Sequence, residues 1–149
     1  MELEDGKVMQ WARTDLGCQY KAFSCDGGMT WSDIRPAPEF LSPCSPLSIK
    51  RNPFSGNLIA IWNDHAPKYG VIPGAESWGR TPLVIARSSD NGASWKDHTP
   101  LESDPDCGYC YTAIHFNRDN SILAAYCGGG KTYGTAVLQD LVIRRISGF

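Results

Sequence analysis

The chain has 149 residues, 42% of them hydrophobic, with five Trp, six Tyr and five Phe, which fits one domain with a real core. A formal net charge of −2 leaves no strong field to attract nucleic acid or an anionic membrane. No apolar run approaches the ~20 residues of a transmembrane helix, and the acidic, alternating start MELEDGKVMQWART is not that of a signal peptide.

Those first residues already read as a strand, so the chain is expected to begin partway through a fold. The 15 Gly and 10 Pro are spread along the sequence and cut it into short pieces rich in β-branched and aromatic residues. Strands are predicted over Lys7–Thr14, Gln19–Cys25 and Thr30–Ile34. A second group covers Ser45–Arg51, Leu58–Trp62, Leu83–Ser88 and Ser94–His98, and a third covers Tyr109–Phe116, Ile122–Tyr126 and Val137–Ile146. Long helical periodicity is absent. YGTAVLQDLVIRRI is the one place where a helix competes with a buried strand, and periodicity alone does not decide between them.

Three stretches share one pattern, a turn cluster followed by an apolar strand: LEDGKVMQWA, NPFSGNLIAIW and NRDNSILAAYC. Repeats of this length, each of about four short strands, are the signature of a β-propeller. The strand groups number three, four and three, as if the first set lacked its leading strand and the third its last. Blade pieces are expected over about 1–40, 41–103 and 104–149.

Two shorter strings echo each other inside this pattern. SCDGGMTWS and SSDNGASWK both place Ser, Asp, Gly, Thr or Ser, and Trp at alternate positions until the closing pair. Asp26 and Asp90 can accept bonds from amides of their own turn. Gly28 and Gly92 allow positive φ at a tight corner, and Trp31 and Trp95 can wedge a large ring between neighbouring sheets. The motif folds and locks a hairpin without any ligand.

This string resembles the Asp box of the sialidase (neuraminidase) and BNR-repeat superfamily, and the likeness extends over nearly the whole chain. It implies an all-β fold, a sialidase-like β-propeller fragment of about three blades of antiparallel four-stranded sheets, out of six in the family. It also implies chemistry: sialidases hold the substrate carboxylate with three arginines and attack the anomeric carbon with a tyrosine, an exception among glycosidases to the use of two carboxylates. On the matching segments, Arg13 in QWART and Arg80 in GRTPLVIARSSD stand as substrate-binding arginines, and Tyr111 in YCYTAI as the catalytic nucleophile. The implied ligand is sialic acid or a related acidic glycan, with no cofactor and no metal.

The likeness is incomplete. The family's acid/base aspartate and first arginine belong to earlier blades, and the glutamate that activates the tyrosine precedes the segment matched by Met1. Cys127 stands where many sialidases carry a glutamate that orients an arginine. Without that base a phenol of pKa ~10 is mostly protonated at neutral pH, so the lone chain is expected to be inactive, with a noncatalytic carbohydrate-binding or interaction module as the alternative. Open blade edges and apolar end faces lead to an expected homodimer or an association with an N-terminal propeller half.

Other motifs point to less. Cys18, Cys25, Cys44, Cys107, Cys110 and Cys127 have no secretory signal beside them and are read as free thiols, which favours a cytoplasmic location. Cys107 and Cys110 form a CxxC, but β-type sequence follows it where a redox motif needs a helix. Cys127 and His115 could complete a zinc set with them, at a spacing no known site uses. AYCGGGKT resembles a phosphate loop and reads better as a glycine-rich hairpin. His65 and His98 fall in loop-like surroundings and are expected to be solvated. HAPKYGVIPGAESWGR is a long insertion within the middle strand group, where Trp78 could stack on a sugar ring.

Overall fold

A computed structural model describes residues 1–149 and contains ten strands, three single 3-10 turns and no α-helix. The strands are β1 (Val8–Ala12), β2 (Cys18–Ser24), β3 (Arg35–Leu41), β4 (Ser48–Arg51), β5 (Leu58–Asn63), β6 (Leu83–Ser88), β7 (Lys96–Glu102), β8 (Cys110–Phe116), β9 (Ile122–Gly130) and β10 (Thr135–Ile146). They form three antiparallel sheets with simple neighbour order: β1-β2-β3, β4-β5-β6-β7 and β8-β9-β10. The expected grouping of three, four and three strands is therefore the observed one. YGTAVLQDLVIRRI is a strand from Thr135 onward, paired to β9 from Asp140↔Gly128 to Ile146↔Ile122.

The middle sheet is covered on both faces, and its sequence says why. All six residues of β5, LIAIWN, are buried. Alternate side chains of a strand point to opposite faces. Ile59, Ile61, Leu83 and Ile85 join Ile114, Phe116, Ile122, Ala124 and Tyr126 of the third sheet in one core. Ala60, Trp62, Val84 and Ala86 join Ala37 and Phe40 of the first sheet in another. Phe40 lies at the centre of an aromatic group, 4.9 Å from the ring of Trp62, 4.9 Å from Trp95 and 6.1 Å from Trp11, each edge-on, the arrangement ring quadrupoles favour.

Two strands begin later than the sequence suggests. Thr30–Ile34 is not a strand, and β3 starts at Arg35. The Thr30 amide and hydroxyl both bond the Asp26 carboxylate, which holds the residue in the corner. In the same way Ser94 is held by Asp90, and β7 starts at Lys96. Both strands carry prolines, Pro36 and Pro38 in β3 and Pro100 in β7. Both are edge strands with one neighbour, the place where a missing N–H costs least.

The remaining motifs resolve simply. AYCGGGKT is the end of β9 and one 3-10 turn over Lys131–Tyr133 leading into β10, a glycine-rich hairpin with no helix after it. Cys107, Cys110, Cys127 and His115 do not gather into a metal-binding cluster. All six cysteines are free thiols. His65 is not merely solvated: its Nε2 lies 2.7 Å from the Gly79 carbonyl oxygen. His98 lies edge-on to Trp62 at 5.7 Å, and burial pushes its pKa down.

Candidate functional site

The serine, aspartate, glycine and threonine or serine bonds of the two echoed corners match. The Gly28 amide donates to Ser24 Oγ at 2.8 Å and the Gly92 amide to Ser88 Oγ at 2.9 Å. The amides of Thr30 and Ser94 each donate at 2.9 Å to the Oδ1 of Asp26 and Asp90. The hydroxyl and amide of Thr30 or Ser94, with the serine two residues before the aspartate, hold both carboxyls well below the usual carboxylate range. Gly28 and Gly92 have φ of +95° and +85°, the region glycine tolerates. The two tryptophans differ in surroundings. Trp95 meets Phe40 of the neighbouring sheet, whereas Trp31 is 39% exposed and its indole N–H donates to the Gly28 carbonyl at 3.1 Å.

These corners also orient the sheets relative to one another. One joins β2 to β3 and the other joins β6 to β7, so β1, β2 and β3 correspond to β5, β6 and β7. The end of β1 and the start of β6 then lie on the same face of the molecule, opposite the corners. Because β8 runs antiparallel to β9, as β4 does to β5, the start of β8 lies on that face too. Arg13 follows β1, Arg80 precedes β6 and Tyr111 is the second residue of β8.

Local irregularity aims the tyrosine. Cys110 pairs with Cys127 and Ala113 with Ala125, so three steps of β8 oppose two of β9. This is a β-bulge, a device that re-aims a side chain. Tyr111 occupies it with φ +56°, in the left-handed region a tyrosine rarely adopts. The Arg80 guanidinium carbon lies 5.1 Å from the Tyr111 ring centroid. The Arg80 guanidinium first, and then that of Arg13, favour the phenolate and lower the Tyr111 pKa from its usual value. Tyr111 is 48% exposed, so the site is an open face.

The backbone around Arg80 is pinned on both sides. Its amide donates to the Ser77 carbonyl at 3.0 Å, and its carbonyl accepts from the Tyr109 amide at 2.8 Å. Asn63, 1% exposed at the end of β5, donates from Nδ2 to the Tyr109 carbonyl at 2.9 Å and to that of Pro82 at 3.4 Å. One amide side chain thus ties the segment carrying Arg80 to the segment carrying Tyr111. Sequence reasoning missed Asn63. The signal was a polar residue closing a strand that is otherwise wholly apolar. It also missed that Cys110 accepts from Arg80 Nη1 at 2.7 Å.

The insertion between β5 and β6 sits on the same face. Asp64 caps its start, accepting from the Ala66 amide and the Tyr69 hydroxyl, both at 3.0 Å. Its Ile72 and Trp78 side chains are 85% and 57% exposed.

A family model described as a BNR repeat-like domain matches residues 1–124. The chain belongs to that family. No curated protein matches this BNR repeat-like chain. Among solved structures it resembles a leech intramolecular trans-sialidase complexed with 2,7-anhydro-Neu5Ac, with TM-score 0.72 and 20% identity over 98% of this chain and 22% of that one. An intramolecular trans-sialidase from Ruminococcus gnavus, in complex with oseltamivir carboxylate, gives TM-score 0.69 and 21% identity over 97% of this chain and 31% of that one. The NanB sialidase of Streptococcus pneumoniae gives TM-score 0.69 and 19% identity over 97% and 22%. These 149 residues therefore span less than a third of each of those chains, and at such identity the likeness shows the fold: three antiparallel sheets matching part of a sialidase propeller.

Proposed function

We propose that the chain carries the carboxylate-binding and nucleophile half of a sialidase-type glycoside hydrolase site, taking sialic acid or a related acidic glycan. The observation that carries this reading is the convergence of Arg13, Arg80 and Tyr111, one from each sheet, on one face, with both guanidiniums acting on the phenol. Guanidinium forks suit a carboxylate because they can bind it through two parallel N–H donors.

Tyr111 Oη then attacks the anomeric carbon. A glycosyl–tyrosine bond forms as the glycosidic bond breaks, and the leaving oxygen takes a proton from the acid. Water completes hydrolysis in a second step. A phenol suits this substrate because a carboxylate nucleophile would be repelled by the sugar's own carboxylate. The acid/base aspartate and the glutamate that takes the phenol proton come from an N-terminal propeller half. The lone chain binds its sugar without turning it over, and the chemistry needs no cofactor.

The openness of the site favours a second reading, a noncatalytic carbohydrate-binding module. Turnover of an aryl sialoside by the chain together with a completing half separates the two. Hydrolysis that vanishes in Tyr111→Phe while binding persists supports the first. Sialic acid binding without turnover in every combination, weakened about tenfold by Arg13→Ala, selects the second.

A further inference from the structure

Cys110 and Cys127 face each other directly across β8 and β9. Opposed residues of antiparallel strands have Cα atoms about 4.5–5.5 Å apart and side chains on one face, within the roughly 4.4–6.8 Å that a disulfide takes. Cys110 is 1% exposed and Cys127 is half-buried, so a small oxidant reaches Cys127 first. Cys107 is no competitor. It packs in the core between the second and third sheets and turns its sulfur to the Asp104 carboxylate at 3.4 Å.

Cys110 is also the acceptor for the Arg80 guanidinium, at 2.7 Å, and the residue immediately before Tyr111. Its sulfur has two possible partners, Arg80 in the thiol state and Cys127 in an oxidised one. We infer that Cys110 and Cys127 are a redox pair whose reversible disulfide releases Arg80 and so switches the Arg80–Tyr111 contact.

The oxidant is a hydroperoxide such as hydrogen peroxide. The Cys127 thiolate attacks one peroxide oxygen and the O–O bond breaks. The departing hydroxide takes up a proton, leaving Cys127 as a sulfenic acid and one water. The Cys110 thiol attacks the Cys127 sulfur, giving up its proton as it does so. The S–S bond forms, the S–O bond breaks, and hydroxide leaves and is protonated to a second water. Two thiols lose two electrons and two protons, and one peroxide is reduced to two waters. A dithiol reductant reverses the change. In the bonded state the Cys110 sulfur has lost its proton and turned to Cys127, and Arg80 loses its acceptor.

The test treats the native chain with dilute hydrogen peroxide, blocks remaining thiols and maps the peptides without reduction. The expected result is loss of two of the six thiols, with tryptic peptide 97–118 linked to 119–131. The link should persist in Cys107→Ser, be absent in both Cys127→Ser and Cys127→Ala, and disappear with dithiothreitol. The Tyr111 ionisation step in alkaline absorbance should move to higher pH on oxidation and return on reduction, with no movement in the Cys127 variants. A link to a different cysteine, oxygen addition at sulfur without a link, or a link that leaves the Tyr111 step in place would overturn the proposal. No sugar enters this experiment, so its failure is distinct from failure of the proposed function.

Discussion

Tyr111 is set apart from Tyr69, Tyr109, Tyr126 and Tyr133 by its neighbours. Arg80 and Arg13 lower its pKa, while burial, first among the causes in each case, raises those of Tyr69, Tyr109, Tyr126 and Tyr133. In an alkaline absorbance titration Tyr111 should therefore ionise before those four. Tyr111→Phe should remove that first step, and Arg80→Met should move it up. Tyr111→Asn should be at least as thermally stable as the native chain, because asparagine accepts the left-handed backbone that the bulge imposes, while losing that ionisation and any turnover. The corner aspartates act in the opposite pH range. Asp26 and Asp90 have folded pKa values below their unfolded ones, so their stabilisation is complete above about pH 4 and fades as pH falls through the folded values. Both are solvent-exposed, which screens the effect. In acid denaturation followed by circular dichroism, Asp90→Asn should lower stability at pH 7 and flatten its fall below pH 4.

At the scale of elements, the aromatic group around Phe40 joins the first two sheets. Phe40 is fully buried and meets three tryptophans. Phe40→Ala should cost about 3–5 kcal/mol, read as a lowered urea midpoint. Trp31→Ala, at the corner whose ring has no neighbouring sheet, should cost under about 1 kcal/mol, although its motif is the same. Motif identity therefore does not set energetic weight; what packs against the ring does. The strand groups were legible because glycines and prolines bound short pieces and because β5 and β6 carry apolar runs. The starts of β3 and β7 were not, because Thr30 and Ser94 look like strand residues until Asp26 and Asp90 claim their hydrogen bonds. In the site, Arg13, Arg80 and Tyr111 were legible only through likeness to a family. The bulge that aims Tyr111, the Asn63 tie and the Cys110 contact with Arg80 depend on register between strands far apart in sequence, which no local pattern encodes.

At the scale of the molecule, the middle sheet is satisfied and the outer two are not. On β10, Val142 and Ile146 pack on the core, while Leu141 and Ile143 on the other face are 71% and 63% exposed. Trp31 and Ile34, in the connection between β2 and β3, are exposed at 39% and 52%. Exposed apolar surface of this kind is characteristic of an interaction face. Sedimentation should show association with a second copy or an N-terminal half, weakened by Leu141→Lys with Ile143→Lys. A chain that stays monomeric at all concentrations, and that ignores such a half, would argue against closure.

The most direct measurement for the account as a whole is binding of N-acetylneuraminic acid and of its methyl ester to the same protein, followed by ligand NMR. If Arg13 and Arg80 clamp a carboxylate beside Tyr111, the acid binds, the ester binds about tenfold more weakly or not at all, and Arg80→Ala erases the difference. Equal binding of acid and ester, or a preference that survives loss of both arginines, would contradict it.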